Sequence, residues 1–83
     1  MNIVWMKKAR KSLDRLDIKI RTTVFDAVEK LSAWPDCRNV KALKNHPYPY
    51  RLRVGDYRVF FSVKDVLEII FIEEVKKRDE NTY

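Results

Sequence analysis

Three arginines near the middle of the chain have a spacing that suits the binding of one anionic group. Arg51 and Arg53 alternate with apolar residues, and Arg58 follows the pair Gly55-Asp56. The planar guanidinium presents paired N–H donors that match the oxygens of a phosphate. We therefore expect an anion, most simply a phosphate, to bind where these side chains meet.

The charge of the chain also indicates an anionic partner. Lys and Arg number 18 against 12 Asp and Glu, a net charge of +6, and residues 38–58 hold six basic residues and one acidic residue. A concentrated basic segment favours nucleic acid or an acidic protein as the partner. A basic surface that serves only solubility is the alternative.

A β-hairpin is needed to bring the arginines together. Gly55-Asp56 separates two strand-like runs, residues 50–54 and 57–63, and is typical of a two-residue turn. That turn pairs Arg53 with Arg58 and Arg51 with Phe60, and it turns the alternate apolar residues towards a core. Opposed like charges cost a few tenths to ~1 kcal/mol, which favours a ligand over arginines that merely extend into water.

The rest of the sequence predicts the elements that support this hairpin. Residues 2–5 form an opening strand, and two amphipathic helices follow, the first from Lys7 and the second ending before Pro35. Residues 35–49 form a connecting loop. Residues 67–75 form the last strand, and with Glu68 placed outward the core residues are Leu67, Ile69 and Phe71, while Ile70 and Ile72 join Phe60 beside the arginines.

These elements predict an α+β fold in the order β-α-α-β-β-β, with a helical hairpin on one face of a mainly antiparallel four-stranded sheet. Residues 1–83 are expected to be one domain. The lone Cys37 excludes an intramolecular disulfide, and the apolar run at residues 69–72 is too short to span a membrane. We expect a soluble cytoplasmic protein that has no membrane partner.

Several segments together resemble the RelE/ParE toxin superfamily over nearly the whole chain. They are Val40-Lys41-Ala42-Leu43-Lys44, Tyr50-Arg51-Leu52-Arg53-Val54-Gly55-Asp56-Tyr57-Arg58-Val59, Val75-Lys76-Lys77-Arg78 and the closing Tyr83. The resemblance implies a bacterial type II toxin that a cognate antitoxin neutralises. In the RelE branch it implies an endoribonuclease that cuts messenger RNA in the ribosomal A site. The 2′-hydroxyl attacks the adjacent phosphorus and leaves a 2′,3′-cyclic phosphate, with no metal or other cofactor.

The resemblance also implies a role for particular residues. The catalytic set is Arg51, Arg53, Arg58, a C-terminal basic residue at Lys77 or Arg78, and the stacking Tyr83; the RNA-binding set is Lys41, Lys44, Phe60 and Lys76. Arginines at these positions would stabilise the negative charge of the transition state. His46 is left out of the predicted site, because a lone histidine in a loop is most often a surface residue.

Departures from the superfamily keep other functions open. Relatives often carry lysine where this chain has Arg51 and Arg53, and arginine is a poor general base. The proton acceptor is therefore open, with Lys76 or Lys77 favoured over Glu73, Glu74 and His46. Asn45 also replaces a common glycine. The alternatives are a ParE-like inhibitor of DNA gyrase and an inactive relative that only binds the antitoxin.

Overall fold

A computed structural model describes residues 1–78, which fold into two α-helices, a short 3-10 helix and five strands. The elements are β1 (Asn2–Trp5), α1 (Lys7–Asp14), α2 (Ile18–Glu29), the 3-10 helix (Lys30–Ala33), β2 (Val40–Ala42), β3 (Tyr50–Val54), β4 (Tyr57–Lys64) and β5 (Ile69–Lys77). They form one sheet in the order β1-β5-β4-β3-β2, in which β1 is parallel to β5 and the other pairs are antiparallel. The predicted α+β class is confirmed.

The sheet has one strand more than predicted, because β2 lies inside the segment expected to be a loop. Val40 pairs with Leu52 and Lys41 with Arg51. Three residues are too few to display the two-residue alternation that marks a strand, so the sequence pattern gives no sign of β2. The extra strand places Lys41 directly beside Arg51.

The core lies between the helices and one face of the sheet. Its helical side comes from Ala9, Leu13, Val24, Val28 and Leu31, and its sheet side from Leu52, Val59, Phe61, Ile70, Ile72 and Val75. The ring of Phe61 is completely buried and contacts Trp34 edge-on at 5.6 Å and Tyr50 at 5.4 Å between ring centroids. The apolar side of α2 continues into the 3-10 helix, where Leu31 is buried in the same core.

The predicted hairpin is present with the predicted register. Arg53 pairs with Arg58, Arg51 with Phe60, and the strands are joined at Gly55 and Asp56. Gly55 has φ +55°, a left-handed conformation that glycine adopts without the steric cost that a Cβ atom imposes. The turn therefore fixes which side chains share a face.

The predicted register of the last strand is wrong. Ile70 and Ile72 are completely buried in the core, whereas Leu67 is 62% exposed in the preceding turn. Ile69 and Phe71 lie on the other face. The prediction set the alternation from Glu68, but Glu68 has φ +54° and precedes the strand. Because apolar residues occupy both alternating sets of positions at the start of β5, the sequence gives no other indication of which set faces the core.

A β-bulge then changes the alternation within β5. Phe60 pairs with Glu74, but the next residue, Phe61, pairs with Ile72, so Glu73 is the extra residue. Beyond the bulge Val75 faces the core, while Glu74 and Lys76 lie on the opposite face.

Candidate functional site

The sheet face opposite the helices, here called the open face, carries the basic side chains in two rows. One row runs across four strands as Lys41, Arg51, Phe60 and Glu74, and the next runs as Arg53, Arg58 and Lys76. Neighbouring strands are about 4.8 Å apart and successive rows about 7 Å apart. Five basic side chains and the carboxylate of Glu74 therefore lie within an area that a short stretch of phosphodiester could cover.

The three arginines differ in exposure and in contacts. Arg58 is only 5% exposed, and its Nη1 donates to the backbone oxygens of Gly55 at 3.3 Å and Tyr57 at 3.1 Å. Arg53, directly opposite, is exposed. The Nε of Arg51 is buried and has no hydrogen-bond acceptor among residues 1–78. A buried donor of this kind favours a ligand that supplies an oxygen.

Glu74 is the acidic centre of the open face. Its side chain is 9% exposed, and its carboxylate oxygens lie 3.4 Å from Lys8 Nζ and 3.5 Å from Lys76 Nζ. Burial raises the pKa of Glu74, but the hydrogen bond from Tyr48 and the charges of the two lysines outweigh it, so the net pKa lies below its usual value. Glu74 is therefore ionised near neutral pH and holds both lysines in place.

Replacing Glu74 with glutamine is expected to reduce the amount by which the free energy of unfolding falls as the solution is made acidic. A carboxyl whose pKa is lowered by folding stabilises the native state above its unfolded pKa, and this contribution is lost as the pH falls through the folded pKa. Glu74→Gln should lower stability near neutral pH and flatten the acid limb. Urea unfolding from pH 7 to pH 3 measures both effects, with Glu29→Gln on the exposed side of α2 as control. Identical acid limbs for Glu74→Gln and the unsubstituted protein would contradict this role.

An aromatic cluster covers one end of the open face and was not predicted as a unit. The ring centroids are 5.0 Å apart for His46 and Phe60, 5.5 Å for Tyr48 and Phe60, and 5.9 Å for His46 and Tyr48. Asn45 begins this loop at φ +52°, a conformation that asparagine tolerates better than most residues. The two prolines flanking Tyr48 were the available sign of an ordered loop.

The structure does not bring all the predicted residues together. Lys77 pairs with Tyr57, whose side chain packs towards the helices, so Lys77 lies on the face opposite Arg58. Arg78 follows β5, and its N–H donates to the backbone oxygen of Asp56 at 2.6 Å. Lys44 is exposed in the loop after β2. The predicted stacking residue Tyr83 lies outside the described residues.

Within residues 1–78 no cluster of three or more His, Cys, Asp or Glu side chains has the arrangement of a metal site. In the same range neither helix is long and apolar enough to cross a membrane. The Arg and Lys side chains of the open face can bind anions beside an aromatic surface.

Comparison with known proteins identifies the family. The family model described as the ParE toxin of type II toxin–antitoxin systems matches residues 3–82. The chain belongs to this toxin family. The toxin has no match among the curated proteins.

Solved structures of RelE proteins resemble this toxin throughout its length. The RelE–RelB complex of Pyrococcus horikoshii matches with 27% identity and a TM-score of 0.79, covering 95% of this chain and 96% of that chain. The RelBE2 toxin–antitoxin complex of Mycobacterium tuberculosis matches with 25% identity and a TM-score of 0.79, covering 93% and 96%. Isolated Escherichia coli RelE, at 20% identity, 95% and 85% coverage and a TM-score of 0.79, shares the fold. The toxin is thus a member of the RelE/ParE superfamily.

Proposed function

We propose that this toxin is an endoribonuclease that cleaves messenger RNA in the ribosomal A site. The observation that carries the proposal is the pairing of Arg53 with Arg58 on the open face, one row from Arg51 and Lys41. Four cations spaced at strand and row distances match the repeated negative charge of an RNA backbone.

The proposed reaction is attack of a ribose 2′-hydroxyl on the adjacent phosphorus, with loss of the 5′-oxygen of the next nucleotide. Arg53 and Arg58 stabilise the negative charge of the five-coordinate transition state, because guanidinium donors already in place require no reorganisation. Arg51 and Lys41 hold a neighbouring phosphate. Arginine stays protonated, so a separate group takes the 2′-hydroxyl proton. The departing 5′-oxygen gains a proton and leaves as a hydroxyl, so that one proton passes in total from the 2′-oxygen to the 5′-oxygen.

Of the C-terminal candidates, the proposal favours Arg78 over Lys77. The N–H of Arg78 donates to Asp56 and the side chain of Arg58 donates to Gly55, so both residues contact the β3–β4 turn. Lys77 lies on the helix-facing side of the sheet. Tyr83 keeps its proposed role of stacking on a nucleotide.

The chemistry of the cut ends tests this function. The purified toxin, incubated with 70S ribosomes programmed with a defined messenger RNA, should yield fragments that end in a 2′,3′-cyclic phosphate and begin with a 5′-hydroxyl. Cuts should require ribosomes and be strongly reduced with Arg53→Ala. Intact RNA in the presence of folded toxin would contradict the proposal.

Inhibition of DNA gyrase is the second candidate, favoured by the match to a ParE family model. Purified gyrase with supercoiled plasmid distinguishes the two: stabilised cleavage complexes with intact messenger RNA select gyrase as the target. If the protein shows neither effect, the third alternative remains, a relative that only binds its antitoxin. The arginines that stand in place of the common lysines would then explain the lack of activity.

We also propose that a cognate antitoxin neutralises this toxin through a segment rich in acidic and apolar residues. The similar structures from Pyrococcus horikoshii and Mycobacterium tuberculosis are both toxin–antitoxin complexes. The net charge of +6 and the cationic rows of the open face favour a partner of opposite charge.

A further inference from the structure

We propose that the ring of His46 is a stacking platform for an unpaired RNA base beside the phosphate-binding rows of the open face. The inference rests on the proposed function and adds the base-binding part of the same site. The sequence had placed His46 outside the site, and the structure brings its ring against Phe60.

The geometry of the ring cluster supports stacking. The His46 and Phe60 rings have centroids 5.0 Å apart and an interplanar angle of 20°, and Tyr48 and Phe60 are 5.5 Å apart at 28°. Phe60 and Tyr48 are half-buried, whereas His46 is exposed. His46 is therefore the most exposed of the three rings, and the proposed platform is the side of its ring that faces away from Phe60.

Two contacts hold the ring of His46 in position. The backbone N–H of Tyr48 donates to His46 Nδ1 at 3.1 Å, and the ring of Phe60 packs against the His46 ring with centroids 5.0 Å apart. With Nδ1 acting as acceptor, the neutral ring carries its proton on Nε2. His46 thus offers a ring face and an Nε2–H donor, while its basic nitrogen is already occupied.

The charges around the cluster favour RNA as the occupant. Phe60 stands between Arg51 and Glu74 in the first row, with Lys41 on the far side of Arg51. A phosphate held by Arg51 and Lys41 would leave its nucleotide next to the rings. An aromatic surface beside a cationic track is the arrangement by which proteins bind single-stranded nucleic acid with little sequence preference.

Binding of a non-cleavable RNA tests the platform separately from catalysis. Fluorescence anisotropy with a fluorescein-labelled 2′-O-methyl oligonucleotide should show that His46→Ala weakens binding about 5- to 150-fold. The slope of log affinity against log salt should not change. Lys41→Ala, the electrostatic control, should instead reduce that slope by about 1. His46→Phe should restore binding, because the phenyl ring keeps a flat surface for stacking even though it lacks the Nε2–H donor.

The same oligonucleotide without bases provides the decisive comparison. The unsubstituted toxin and His46→Ala should bind the abasic strand equally, because no base remains to stack. Equal binding of the base-bearing strand, a loss that persists on the abasic strand, or failure of His46→Phe to restore binding would overturn the platform. No binding by the unsubstituted toxin would also overturn it. The fragment-end assay independently judges cleavage, so a stacking surface on a non-cleaving protein would be recognised as such.

Discussion

Replacing Arg58 with alanine is expected to reduce RNA cleavage by at least about 100-fold, the effect typical of removing one preorganised donor to a developing oxyanion. Arg58 lies at the centre of its row, between Arg53 and Lys76, and its guanidinium is held against the β3–β4 turn by the backbone oxygens of Gly55 and Tyr57. Single-turnover cleavage of ribosome-bound messenger RNA measures the effect. Toxicity on induction in bacteria should disappear in parallel.

Burial of Arg58 requires that an effect on folding be separated from an effect on chemistry. Arg58→Ala leaves two backbone oxygens without this donor, so its thermal unfolding must be compared with that of the unsubstituted toxin. Arg53→Ala removes an exposed side chain and should reduce cleavage with little change in stability. Arg15→Ala, at the exposed end of α1, is the matched control and should leave cleavage unchanged. Full cleavage by folded Arg58→Ala would exclude the proposed role.

Replacing Phe61 with alanine is expected to remove about 3–5 kcal/mol from the free energy of unfolding. The side chain is completely buried and contacts both Trp34 and Tyr50. A chain of this length has a total stability of about 4–12 kcal/mol. The variant should therefore lose a large part of its stability, and its melting temperature should fall by about 12–40 °C, as measured by circular dichroism.

Phe60→Ala is the matched control, since it removes the same type of side chain from the adjacent residue, which lies on the open face. Phe60 is half-buried in the ring cluster, and its loss should cost about 1.5 kcal/mol or less. This variant should remain folded and show its defect in RNA binding. Comparable destabilisation by the two substitutions would contradict the division of β4 into a core face and an open face.

Much of the fold was predictable because local signals agreed. The glycine at position 55 and the alternation on either side of it determine one hairpin register, and that register alone places Arg51, Arg53 and Arg58 on a common face. The amphipathic pattern that predicted the second helix was equally clear, and its residues Val24 and Val28 lie in the core. These predictions depend on contacts within a few residues of each other or across one tight turn.

The parts that could not be predicted depend on longer-range contacts. The residues of β5 are apolar at successive positions, so only the core itself determines that Ile70 and Ile72 face inward. Three-residue β2 gains its conformation from pairing with β3. The place of His46 depends on a loop folding back onto Phe60. None of these leaves a periodic trace in the sequence.

The bulge at Glu73 divides β5 into two parts that differ in which alternate residues face the core. Strict alternation from Ile70 and Ile72 would turn residues 74 and 76 inward and residue 75 outward, which would bury a carboxylate and an ammonium beneath the helices. The one-residue slip moves Val75 inward and delivers Glu74 and Lys76 to the arginines. Removing Glu73 would leave Phe60 opposite Glu74 and Phe61 opposite Ile72 as consecutive pairs, so the inward and outward residues would stay as they are. A strand that kept Glu73 but paired without the bulge would instead turn Glu74 and Lys76 inward, so the insertion of a residue here is tolerated only because the bulge accommodates it.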